Sequence, residues 1–386
     1  MIEQVQVHLY AGELDKAASQ AQERLIVFPQ DDQARFTLGA IQFLRAIEQL
    51  GQELYRYGLR TIYRDRTGMG ALPIMRIPVP ENPDPEEITY SALREIFQHL
   101  ISNLETSEST LSEISSNEVD LPLNIGRISL DLDSDGIASE RETLWHMYKQ
   151  VVNAGWLNPE EASALLADFD VSDVSWLRAY CHLLMAVAEF SLAHDWQETF
   201  EATFQAFFPT VNPEFQSLIK NNLYDDLGDL IAFVHLLHWP VVEPQRMRST
   251  LAHLESMVSL SRESWNEIMA ETDNRNEWIP NPQQMSVLPG MSVTEIQVSA
   301  WQQFLNEFDA LLQGEKLLPH WRFRQGINLR RFFIEPKTFD LVLMIQGYSA
   351  VPYLEDGVFT TGDTWLQIIT MFGGFGGFIT YFVWFN

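Results

Sequence analysis

From Asp173 to Ala193 the chain is apolar on nearly every side of a helical wheel. A helix that is hydrophobic all round has no face to give to water, so it must sit at the centre of other elements. The flanking sequence can provide them. Leu9, Leu14, Ala17, Ala21 and Leu25 mark one apolar face, and Phe36, Leu38, Ile41, Phe43, Leu44, Ile47 and Leu50 mark another. Pro29 breaks the helix between them, and Asp31 or Asp32 can cap the restart. Thr89 is a candidate cap for a helix whose stripe is Leu93, Ile96, Phe97, Leu100, Ile101 and Leu104. Further helices are expected over Trp196–Phe208, Glu214–His238, Pro244–Ala270, and Ser299–Leu312. The expected fold class is mainly α, a multi-helix globular protein with a small mixed C-terminal part. There, short apolar runs such as Phe339–Ile345 alternate with turns at Gly326, Gly357 and Gly362.

Punctuation along the chain suggests four regions: helical 1–70, a Pro-rich connector 71–88, a helical core 89–278, and a mixed region 279–386. Pro73, Pro78, Pro80, Pro83 and Pro85 make the connector extended. Residues 105–118 are Ser/Thr/Glu-rich and expected to be exposed, and 271–284 reads as a loop. Asp and Glu outnumber Lys and Arg by 53 to 25, a formal charge of −28. A nucleic-acid partner wants a basic face, so none is expected. Disorder is excluded because 46% of residues are hydrophobic. The single cysteine, Cys181, allows no intrachain disulfide and reads as a small core hydrophobe. No basic stretch followed by an apolar run opens the chain, so no signal peptide is expected and a cytoplasmic location is the default. Trp365–Asn386 is uncharged and long enough to span a bilayer, but Gly373, Gly374, Gly376 and Gly377 divide it and its upstream flank is acidic. A two-part core segment around a glycine turn is the expectation, with a membrane tail anchor at 365–386 as the alternative.

Residues 131–142 read Asp-Leu-Asp-Ser-Asp-Gly-Ile-Ala-Ser-Glu-Arg-Glu. Alternate residues of a tight turn point inward together, and a hard cation of calcium's size wants six to eight oxygens. The segment resembles the calcium loop of the EF-hand family at every ligand position. That resemblance implies side-chain ligation by Asp131, Asp133, Asp135 and Glu142, the last bidentate. It further implies a backbone carbonyl from Ile137, a water-mediated contact at Ser139 and a sharp turn at Gly136. Magnesium fits less well, because its octahedral shell does not favour a bidentate glutamate. The flanks depart from the family. A helix is expected over Ser139–Val152, but the preceding LPLNIGRISL contains Pro122 and Gly126 and favours extended chain. Ala138 replaces the bulky β-branched residue through which paired EF-hands join, and no second such loop occurs. The site therefore reads as a solitary strand–loop–helix, resembling the structural calcium loops of dockerins and some enzymes more than a calmodulin-type sensor, and is expected to pin a strand to a helix start.

Around the N-terminus, Gly12, Leu14, Ala17, Leu25, Pro29 and the Leu38-Gly39 pair resemble part of a tetratricopeptide repeat (TPR), and the likeness stops at Gly51, where a small packing alanine is expected. The chain as a whole resembles bacterial proteins with a TPR-like start and a lone EF-hand-type loop.

Three weaker groupings stand beside the loop. Arg178, His182 and Glu189 fall at helical spacing, with His194-Asp195 at the end of the same helix, and read either as an acid–base pocket or as a buried polar network. Asp225, Asp229, His235 and His238 fall in the next expected helix, with His235 and His238 on one face, and could hold a transition metal, although no HExxH pattern is present. Lys316, His320, Arg322, Arg324, Arg330, Arg331 and Lys337, interleaved with Trp321, Phe323, Phe332 and Phe333, would clamp an anion or meet the chain's own carboxylates. No Gly-rich phosphate loop or GxSxG motif appears. The leading expectation is a calcium-binding protein acting as a binding or assembly module with a protein partner. The alternatives are an enzyme with a structural calcium and a site around His182, Glu189 and His194, or a tail-anchored membrane protein.

Overall fold

The computed structural model describes residues 1–60, 77–137, 139–151, 165–218 and 225–386. The last stretch of the first helical region (61–70), the start of the connector with Pro73, and Ala138 and Val152 lie outside the described residues. The protein is mainly helical, with fifteen α-helices and eight short strands among the described residues.

The N-terminal layer is α1 (Ile2–Tyr10), α2 (Leu14–Val27) and α3 (Asp32–Arg56). Asp31 caps α3 by accepting from the Ala34 N–H at 3.0 Å. Next comes α4 (Tyr90–Ser112), capped by Thr89, whose hydroxyl accepts from the Ala92 N–H at 3.1 Å. Helices α3 and α4 approach closely at Gly39, where a Cβ would lie 2.5 Å from Leu111 Cδ2. Most of 105–118 is exposed, as expected, although α4 continues to Ser112 and two residues of this stretch turn inward. Ser107 is buried and donates to the Gly39 carbonyl at 2.8 Å, and Leu111 packs into the core.

Strand β1 (Leu121–Asn124) pairs antiparallel with β2 (Leu166–Phe169), and α5 (Leu144–Val151) lies between them in sequence. Asp170 and Asp173 form a capping box at the start of α6 (Val171–Ala193), the central helix anticipated from its all-round apolarity. Its walls are α3, α4 and α10. Three apolar clusters make up the core, and α6 reaches all of them: Val174 and Leu177 into the first, Cys181 and Met185 into the second, Ala179 and Ala193 into the third.

Beyond α6 the single helix expected over Trp196–Phe208 is α7 (Gln197–Thr203) followed by a tighter turn at 204–206. Of the helix expected over Glu214–His238, the described residues show helix in α8 (Pro213–Leu218) and α9 (Asp225–Leu236), with 219–224 outside the described residues, and its end is corrected, since His238–Trp239 form strand β3. Pro240 cannot continue a helix, and cross-strand pairing holds the chain extended before it. Helices α10 (Pro244–Ala270) and α11 (Glu295–Leu312) follow, the latter opened by a capping box of Thr294 and Gln297.

The C-terminal part mixes short strands and helices: β4 (Lys316–Pro319), β5 (Gly326–Ile327), α12 (Leu329–Ile334), β6 (Phe339–Asp340), α13 (Leu341–Gln346), β7 (Leu354–Glu355), β8 (Val358–Phe359), α14 (Gly362–Met371) and α15 (Phe375–Phe385). The order β7-β5-β4-β8 forms one sheet, parallel only between β4 and β8, while β3 pairs with β6. Gly373 and Gly374 adopt φ of +80° and +103°, and α14 and α15 meet at 75°. No single described helix is long and apolar enough to cross a membrane; these two pass that test only as a bent pair. Helix α15 is docked against the core. The Trp176 and Trp265 indoles donate to the carbonyls of Trp384 and Phe385 at 2.9 and 3.2 Å.

Candidate metal centre

The acidic loop is built from both ends. Residues 128–130 run extended beside 142–144: the Leu130 N–H donates to the Glu142 carbonyl at 3.0 Å, and the Leu144 N–H to the Ile128 carbonyl at 2.9 Å. Extended chain alternates its side chains, so Leu130 and Leu132 go fully into the core and Asp131 and Asp133 face the other way, into the loop. Gly136 sits at φ +78° with nothing within 4 Å of where a Cβ would be, so it serves the turn and not a close contact. Ser134 is also left-handed at φ 60°.

Side chains then fold back onto the loop's own backbone. Asp131 Oδ2 accepts from the Gly136 N–H at 3.1 Å, and Asp135 Oδ1 from the Ile137 N–H at 2.7 Å. Glu142, almost fully buried, accepts from the Leu132 and Ser139 N–H groups, both at 2.9 Å, one through each carboxylate oxygen. Ser139 and Glu142 thereby form a capping box at a short turn over 140–142, and α5 starts only at Leu144, two residues later than the loop's end. The exiting helix is thus shorter at its start than the expected 139–152.

Of the six expected ligands, Asp131, Asp133 and Glu142 are brought together, with one ligand atom of each within 4.8 Å of the others. Asp135 stands outside that group, and Ile137 turns its side chain to solvent. Asp131 Oδ1 is buried and has no hydrogen-bond partner. Burial, reinforced by the charges of Glu142, Asp135 and Asp131, raises the Asp133 pKa above the ordinary aspartate range. A buried, unpartnered carboxylate oxygen among mutually repelling carboxylates is a place where a cation is favoured. The donor set is oxygen throughout, which fits calcium.

The loop is held from a distance by α3, a contribution that sequence reading missed. Gln52 Nε2 donates to the Asp131 carbonyl at 2.7 Å, and Glu48 Oε1 accepts from the Asp131 N–H at 2.9 Å. Between them, Gly51 leaves room for Leu132, whose Cδ2 would lie 2.5 Å from an added Cβ. Burial first, with the Asp131 charge acting in the same direction, pushes the Glu48 pKa up to about 7. The one signal in the sequence was Gly51 itself, standing where a repeat helix would carry alanine.

The weaker groupings resolve into separate pairs. Arg178 donates twice to Glu108 Oε1 on α4, at 3.0 and 2.9 Å, and Arg246 on α10 donates to Glu189 at 2.9 Å. His182 meets His253 on α10 with Nδ1 atoms 2.8 Å apart, and His194 lies buried with Nδ1 on the Phe190 carbonyl at 2.7 Å. Arg178 and His182 both face Glu108, whose Oε1 lies 3.7 Å from His182 Nε2, while Glu189 and His194 turn to other partners, so the four do not line one pocket. His235 closes α9 while His238 lies in β3 against Asp340 at 2.7 Å, so they do not share a helix face. In the basic stretch, Lys316 pairs with Glu307, Arg330 with Glu255 at 2.6 Å, and Arg331 with Glu335 and Glu355 at 2.9 and 3.2 Å. Arg322 lies 4.8 Å over the Trp321 ring. Comparison with models of known protein families, with curated proteins and with solved structures finds no match to this chain.

Proposed function

We propose that this is a calcium-binding protein in which one EF-hand-type loop, 131–142, holds the ion for a structural purpose. The observation that carries the reading is the buried, unpartnered Asp131 Oδ1, set in one group with Asp133 and Glu142. Asp131, Asp133 and Glu142 would hold the ion, with Asp135, the Ile137 carbonyl and Ser139 completing the oxygen shell. Bound there, calcium would supply the charge that lets these carboxylates ionise side by side. It would also tie the extended 128–132 segment, already gripped by α3, to the turn that starts α5. In this reading the helices around the loop form a binding or assembly module whose acidic surface meets a protein partner.

Thermal melting of chelator-treated protein, titrated with calcium and then magnesium, tests the reading. Calcium is expected to raise the melting temperature selectively, because binding to the native state alone adds RT ln(1 + [L]/Kd) to stability. Glu142→Gln keeps an oxygen acceptor for the backbone but removes the charge, and is expected to lose most of the calcium-dependent rise. A wild-type protein that neither binds calcium by calorimetry nor shifts its melt would reduce residues 131–142 to an acidic turn.

A further inference from the structure

Away from the loop, α4, α6 and α10 meet at a second group of side chains. His182 on α6 and His253 on α10 place their Nδ1 atoms 2.8 Å apart. Two imidazole nitrogens at that distance need one proton between them, because two bare lone pairs repel. Glu108 on α4 decides which ring provides it. Its Oε1 lies 3.7 Å from His182 Nε2, too long for a hydrogen bond but close enough for the carboxylate to favour a proton on that nitrogen. Arg178 donates twice to the same Glu108 oxygen, at 3.0 and 2.9 Å, and so fixes the carboxylate in place. With a proton on Nε2, His182 turns a bare Nδ1 lone pair toward His253, which donates the shared proton.

A shift of the His253 proton from Nδ1 to Nε2 leaves two lone pairs facing one point, with no net proton lost. We propose that His182 and His253 bind a divalent transition-metal ion of the zinc and copper class, with Glu108 as the carboxylate behind His182 and water in the remaining positions. Imidazole nitrogen suits these ions and does not suit calcium. A carboxylate on the outer nitrogen of a ligating histidine fixes its tautomer and raises its basicity, which is the part Glu108 plays. Tetrahedral zinc, with Zn–N bonds of about 2.0–2.1 Å, sets its ligand nitrogens about 3.3 Å apart. The pair need open by only about half an ångström, with each ring turning toward the shared ion, and the His182 side chain is 15% exposed. The site stands independently of the calcium reading.

The test uses chelator-treated full-length protein with calcium kept saturating, so that the acidic loop does not compete. Calorimetric titration with zinc is expected to show one equivalent bound. His182→Gln and His253→Gln should each weaken binding by more than about tenfold, and Glu108→Gln by about tenfold, within the range seen for outer-shell partners. Electron paramagnetic resonance of the copper-loaded, unaltered protein should show coupling to two nitrogens, a readout that holds even where a variant fails to fold. Zinc binding that survives both histidine substitutions, or a copper spectrum without nitrogen coupling, overturns the proposal.

Discussion

Gly51 shows how much one missing side chain can decide. It lies on α3, eighty residues before the acidic loop, and its lack of a Cβ lets Leu132 bury completely against the helix. Gly51→Ala should force Leu132 aside at a cost of about 1–3 kcal/mol for overpacking. That outweighs the roughly 1 kcal/mol that alanine gains in helix propensity. Because Leu132 sits between Asp131 and Asp133, the same variant should also weaken calcium binding. Denaturant unfolding and a calcium titration on one preparation check both, and unchanged values would show that Leu132 is free to move. Apart from a glycine standing where a repeat helix would carry alanine, nothing in the sequence around Gly51 announces this role. The twelve loop residues are contiguous and could be read directly, whereas Glu48, Gly51 and Gln52 act through a contact that only the fold creates. His253 escaped for the same reason: the partners spaced along α6 are not the ones that meet in space.

At the scale of elements, the junction of α6 and α10 carries a pH dependence. Glu267 and Glu271 are each raised to about 7, by burial first and then by neighbouring carboxylates, Asp170 among them. Burial, with the Asp170 charge next, holds the Asp173 pKa well above the ordinary range too. A carboxyl whose folded pKa exceeds its unfolded value binds its proton more tightly in the folded state. Folding is therefore favoured at low pH, and stability falls as pH rises from about 4.5 through about 7. The melting temperature of metal-free protein should be higher at pH 6 than at pH 8. Glu271→Gln should raise it at pH 8 and flatten the difference; a pH-independent melt, or no gain from the amide, would contradict this. Element types were largely legible, since α6 declares itself by apolarity and α3, α4 and α11 by stripes and caps. Element ends were less so. The breaks at Thr203 and Leu236 reflect local tightening and the β3–β6 pairing, and pairing with a strand a hundred residues away leaves no mark in local periodicity.

For the whole molecule, α15 closes the largest cluster. Phe385 is fully buried, with Trp265, Trp301, Phe372 and Tyr381 rings within 6.0 Å of its own. Phe385→Ala should cost about 3–5 kcal/mol, as deletion of a buried aromatic does. Guanidinium unfolding followed by tryptophan fluorescence measures it, and a loss under 1 kcal/mol would mean that α15 is not part of the cooperative core. That 365–386 folds as two helices around Gly373 and Gly374 was foreshadowed by its glycines; which walls it meets was not, because its uniformly apolar residues specify burial without specifying a partner.

The grip of α3 on the loop has a thermodynamic corollary. Coupling between two binding events is reciprocal. If calcium holds Asp131 in the position that Glu48 and Gln52 also hold, any molecule that seats α3 more firmly tightens the ion by the same factor by which the ion tightens that molecule. A partner docking on the N-terminal helices would in that way read calcium without touching it.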